Sequence, residues 1–198
     1  MKSIVSFITI AASLNMFAPT ARAEAPKLPV EVKVKEVAFH VSLVRTAEGD
    51  SLKIAITGQA AKSEPALVPI KGKLVFLEAA DLKDDGLPEI YLAIAPVDPR
   101  ERSQLIAFVA DKDKGLVRAS FTHQASPPKL EFRGGDRFSI KDGHLVHRVT
   151  LYRRNDEEGS PSAWQEDTFG LSSNGSGAWS FIAVGSRAGM GRVNKKPR

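Results

Sequence analysis

The chain contains no cysteine. That absence removes disulfides, thiol catalysis, haem attachment and cysteine-based zinc sites. A chain of 198 residues buries enough apolar surface to fold without a covalent crosslink. No Walker loop, dinucleotide fingerprint or Gly-x-Ser-x-Gly elbow is present, and Gly175-Ser176-Gly177 lacks the frame of such an elbow. A helical hydrophobic period is also missing after the first residues. These absences favour a protein that binds over one that catalyses. A carboxylate pair across a cleft is the enzyme chemistry that the 23 acidic residues leave open.

Residues 1–23 read as a secretory signal. Lys2 gives a positive start, Ile4–Leu14 an apolar core, and Ala21-Arg22-Ala23 the small residues of a cleavage site. Beyond them no apolar run is long enough to cross a bilayer as a helix. The expectation is an exported, periplasmic protein with no transmembrane segment after cleavage. Of the 28 basic residues, Lys2 and Arg22 leave with the signal, and 26 then face 23 acids. Arg187, Arg192, Lys195, Lys196 and Arg198 crowd into the last stretch, which holds no acid. The predicted division is therefore a signal at 1–23, one domain at 24–186 and a basic, disordered tail at 187–198. A nearly neutral body argues against nucleic acid as a partner, because such domains place bases on a structured face.

What is present is a series of short, β-rich runs. Glu31–Val37 alternates apolar and charged residues and continues through Phe39, Val41 and Leu43, which predicts half-buried strand. Leu52, Ile54 and Ile56 return after a turn at Thr46–Asp50. Gly58–Pro69 reads as a connection broken by Pro65 and Pro69. Leu74–Leu77 and Ile90–Ile94 flank an acidic loop and form the hairpin around which the chain is organised. Leu105–Ala110, Leu116–Thr122, Phe138–Ile140, Leu145–Tyr152, Trp164–Leu171 and Ala178–Val184 complete the strands. Asp142-Gly143 supplies the positive φ of a tight hairpin turn. The predicted fold is all-β, a single antiparallel β-sandwich or partly closed barrel of roughly nine or ten strands.

The acidic loop, Asp81-Leu82-Lys83-Asp84-Asp85-Gly86, invites comparison with a calcium loop. Asp81, Asp85, Gly86 and Glu89 fit its first, fifth, sixth and ninth positions, so Asp81, Asp85 and Glu89 are the candidate metal ligands. Lys83 stands at the third, where an oxygen is wanted and an ammonium repels the ion. A charged turn closed by ion pairs explains the same residues. His144 and His147 fall on opposite faces of a strand and do not chelate together. No cofactor is expected other than calcium at this loop.

Glu78–Tyr91 resembles the segment ADLNxDGxPEIY of the periplasmic inhibitors of invertebrate-type lysozyme. Gly143–Val149, Tyr152, Asp156, Pro161 and Trp179 are similar in order to that family's closing half. The resemblance spans roughly 30–184 and implies a lysozyme or other cell-wall hydrolase as partner, blocked by a loop entering its cleft. In the family that loop carries Ser-Gly-x-x-Tyr and follows the strand ending here near Ala95. This chain has Pro96–Ser103 there, without that motif. Arg100, Glu101, Arg102 and Ser103 become the candidate partner-binding residues, with Arg100 or Arg102 pairing with cleft carboxylates. The alternative is a periplasmic structural or interaction β domain with a calcium-stabilised hairpin and no lysozyme target.

Overall fold

The computed structural model describes residues 25–58, 64–124, 126 and 129–190. The predicted signal, 1–23, and most of the basic tail lie outside the described residues. Among the described residues, thirteen strands form two sheets and no closed barrel. The first sheet contains β1 (Val30–Val34), β2 (Val37–Thr46), β3 (Gly49–Thr57) and β4 (Ala66–Pro69), in that order. The second begins with an antiparallel meander of β5 (Lys73–Ala80), β6 (Glu89–Ala95), β7 (Gln104–Asp111) and β8 (Gly115–Ser120). A second meander contains β10 (Arg137–Lys141), β11 (His144–Tyr152), β12 (Ala163–Ser173) and β13 (Trp179–Met190). The short β9 (Glu131–Phe132) pairs with the end of β11. β8 and β13 join the two meanders through the parallel register Trp179↔Ala119 and Ser180↔Ser120.

The all-β expectation holds, and the strand count rises for local reasons. Glu31–Val37 is not one strand: Lys35, at φ 54°, turns the chain between Val34 and Val37, which pair. Ala66–Pro69 lies inside the predicted connection yet pairs with β3 at the outer edge of its sheet, where proline is tolerated. β9 has two residues and no period to read. The last strand runs on to Met190, so Arg187 belongs to the sheet and bonds Glu166 across it.

β6 is the wall between two cores. It is buried along six of its seven residues, because strand alternation gives both of its faces to protein. Ile90, Leu92 and Ile94 face Phe39, Leu52 and Ile54 of the first sheet, with Ile106 and Phe108 of β7 beside them. Each such side chain contributes about 1.5–3 kcal/mol of burial. Tyr91 and Ala93 face the opposite way, toward Phe138, Leu145, Phe169 and Phe181 of the second meander. The outer strands of the large sheet, β5 and β10, approach each other, and Glu78 accepts a backbone hydrogen bond from Ile140. The large sheet thus curls around the second core without a continuous ladder closing it.

Candidate functional site

The loops before β6 and before β7 lie at opposite ends of the large sheet, because these strands run antiparallel. Each end holds a buried carboxylate, and the two are built differently.

At the first end, the acidic loop is closed from within. Asp81 Oδ1 and Oδ2 accept the amides of Asp85 and Gly86 at 3.1 and 2.9 Å. Lys35 Nζ donates to Asp81 Oδ2 at 2.8 Å. Burial opposes ionisation of Asp81, but Lys35 and these amides outweigh it and hold the carboxyl below its ordinary value. Gly86, at φ 82°, takes the left-handed turn that the spacing anticipates. Glu89 is fully buried. Its Oε2 accepts the Leu82 amide at 2.9 Å and the Tyr91 hydroxyl at 3.3 Å, while Oε1 has no hydrogen-bond partner.

Burial pushes the Glu89 carboxyl up to about 7, against the pull of the Leu82 amide and of Lys83. The same burial, with Glu89 beside it, keeps the Tyr91 phenol protonated. Lys83 Nζ lies 2.5 Å from Asp85, 3.8 Å from Glu89 Oε1 and 4.0 Å above the Trp179 ring. Its ammonium supplies the positive charge that a calcium ion would bring. Asp81, Asp85 and Glu89 are neighbours, yet all their carboxylate oxygens except Glu89 Oε1 are committed to amides, lysines and a phenol.

At the second end, the loop after β6 divides into an outward and an inward part. Asp98 and Arg100 form a two-bond ion pair at 3.2 Å on each bond, and Asp98 also accepts the Arg100 amide at 2.9 Å. The Arg100 side chain stays 79 % exposed. Val97 is 84 % exposed, and Glu101 lies in the open beside them. Arg102 and Ser103 turn the other way. Arg102 donates to Ser126 Oγ at 2.6 Å and covers the Phe132 ring at 4.9 Å. Burial pulls its guanidinium below the ordinary value, with Asp136 and Asp167 opposing. Ser103 is buried and gives both its amide and its hydroxyl to Asp136, the hydroxyl at 2.7 Å to Oδ1. Of the four partner-binding candidates, Arg100 and Glu101 face solvent, and Arg102 and Ser103 anchor the loop.

Asp136 is the hub of that anchor. Its Oδ2 lies 2.9 Å from His147 Nε2, with side-chain exposures of 3 % and 0 %. Burial raises the Asp136 carboxyl, but the bonds from His147 and Ser103 outweigh it and hold the group below its ordinary value. Gly134 brings the chain here: at φ 102°, any Cβ would stand 2.1 Å from the Pro99 carbonyl oxygen. His123 packs against His147 at 5.0 Å between ring centroids, and Phe138 stacks on His147 at 4.4 Å. Burial, then His147 and Arg102, push the His123 imidazole down to about 4. The Nδ1 atoms of both histidines are buried without a hydrogen-bond partner.

His144 bonds the Asp142 carbonyl at the far side of its hairpin and does not join His147, as strand alternation requires. Sequence reasoning passed over His123 and Asp136. A signal existed for their partner: Leu145, His147, Val149 and Leu151 share one face, so a histidine stands in an apolar row and needs a buried companion.

The fold and these two ends define an all-β protein with one stiffened surface loop and two buried polar clusters. The chain matches no protein-family model, no curated protein and no solved structure.

Proposed function

We propose that this is an exported binding protein whose 96–103 loop docks into an acidic cleft of a cell-wall hydrolase of the lysozyme type. The observation that carries the reading is the construction of the loop. Its base is tied inward through Ser103–Asp136 and Arg102–Ser126, and its crown presents Val97 and Arg100. A loop ordered before contact loses little conformational entropy on binding, so its few exposed groups count for more. Arg100 offers a guanidinium to carboxylates, and Val97 offers an apolar anchor beside it. The resemblance of Glu78–Tyr91 to the inhibitors of invertebrate-type lysozyme supports the choice of partner, and the leader at 1–23 supports export.

The test is a turbidity assay of bacterial cell walls, with the purified 24–198 chain added to lysozymes of each type. Inhibition of an invertebrate-type enzyme at micromolar protein is expected. It weakens at least roughly tenfold in a Val97→Ala/Arg100→Ala variant, which removes both exposed contact groups of the crown. Arg102 is left intact because its loss disturbs the loop base. The absence of both inhibition and co-purification with every lysozyme type overturns the proposal.

A further inference from the structure

His123, Asp136 and His147 each offer one ligand atom, and the three atoms lie within 4.8 Å of one another. They come from three separate stretches: the segment after β8, the turn before β10, and the inner face of β11. We propose that these side chains form a binding site for a divalent transition-metal ion, with zinc as the ion the donors suit best.

The donor set points that way first. The two imidazoles are borderline donors that favour zinc, cobalt and nickel over calcium or magnesium, and zinc accepts one carboxylate beside them. Geometry points the same way. Zinc bonds of about 2.0–2.2 Å place tetrahedral ligand atoms roughly 3.3 Å apart. The widest pair here therefore needs to close by at most about 1.5 Å, a movement within reach of rotating side chains. Three protein ligands leave a fourth position for water or for a group from a partner.

Independent support comes from the orphaned nitrogens. His147 has no exposed side-chain surface, and its Nδ1 has no hydrogen-bond partner; neither has Nδ1 of His123. A buried lone pair or N–H left unmade is costly, and an ion that takes the open nitrogen of His123 relieves that cost. The surroundings are also prepared. Asp136 Oδ1 is fixed by the Ser103 hydroxyl at 2.7 Å, which leaves Oδ2 directed at His147. Such outer contacts orient a ligating carboxylate.

The charged groups facing the cluster are Arg102 and Asp167, whose fields reach one another here. With Asp136 they sum to one negative charge, which a dication reverses rather than compounds.

The experiment uses the purified 24–198 chain titrated with cobalt(II), then displaced by zinc. The chain has four histidines, and His40 and His144 lie apart from the cluster. Expected are one cobalt per chain with a visible ligand-field spectrum, and a melting temperature raised by zinc and restored by chelator. A His123→Ala variant that keeps the wild-type near-ultraviolet dichroism loses the spectrum. Ser103→Ala binds roughly 10–100-fold more weakly, and a His40→Ala/His144→Ala variant binds as the wild type does. A folded wild-type chain with no cobalt spectrum overturns the proposal. So does a spectrum that survives His123→Ala or vanishes in His40→Ala/His144→Ala.

Discussion

Glu89 and Asp136 are both buried carboxylates at the ends of one curled sheet, and they titrate in opposite directions. Glu89 has one oxygen bonded and one orphaned, and its proton affinity rises. Asp136 has both oxygens bonded to Ser103 and His147, and its proton affinity falls. Depth alone does not decide the charge of a carboxyl group; the number and aim of its donors do. The cations differ as well. Lys83 comes from the loop beside Glu89 and fills that end with an ammonium. At the other end Arg102 bonds Ser126 instead, and Nδ1 of each histidine has no hydrogen-bond partner.

The strongest way to break this comparison is Asp136→Ala. It strands the Ser103 amide and hydroxyl and His147 Nε2 in a buried place, and should cost about 3–5 kcal/mol in urea unfolding. A loss under about 1 kcal/mol would mean that Asp136 is not the anchor of the loop.

Next comes Glu89→Gln, read through pH. The folded midpoint of Glu89, about 7, lies above its ordinary 4.5, so the folded state holds this proton more tightly. The stabilisation is complete below about pH 4.5 and is lost as pH rises through 7, on the order of 3 kcal/mol in all. Unfolding measured from pH 4.5 to pH 8 should show that slope in the wild type and a flatter one in Glu89→Gln. Equal slopes would place the titration elsewhere.

Lys83→Met removes the ammonium between Asp85, Glu89 and Trp179. A loss of about 1–2 kcal/mol is expected, with the Glu89 midpoint moving higher still. Lys83→Asn sharpens the same point by putting an oxygen where the calcium pattern wants one. Its melting temperature should rise with calcium and fall back with chelator, while the wild type stays unmoved. A calcium response in the wild type would show that Lys83 does not hold the ion's place.

The smallest effect on the fold is expected from Arg100→Ala. Its ion pair with Asp98 lies in solvent, and exposed pairs contribute little, so the melting temperature should stay at the wild-type value. Any loss of partner binding in that variant then reports on contact and not on folding.

Much of the fold was legible because period-2 alternation is local. The pairs Leu74–Leu77 and Ile90–Ile94, the Asp142-Gly143 turn, and the strand from Leu145 to Tyr152 could be read one residue at a time. Ala66–Pro69 could not, since an edge strand is made by its neighbour and its prolines speak against it locally. The acidic loop was readable to the level of Lys83 opposing a metal. The other cluster was not, because Ser103, His123, Asp136 and His147 meet only once β7, β8, β10 and β11 are aligned.

The sequence by itself determined the all-β class, the acidic hairpin with its built-in cation, and a fold free of disulfides, since composition and alternation act between near neighbours. Only the tertiary structure decided that β6 separates two cores, that Arg102 and Ser103 point inward while Arg100 points out, and that two distant histidines come together beside Asp136. Those outcomes depend on sheet register and curl, which bring together residues that no local pattern connects.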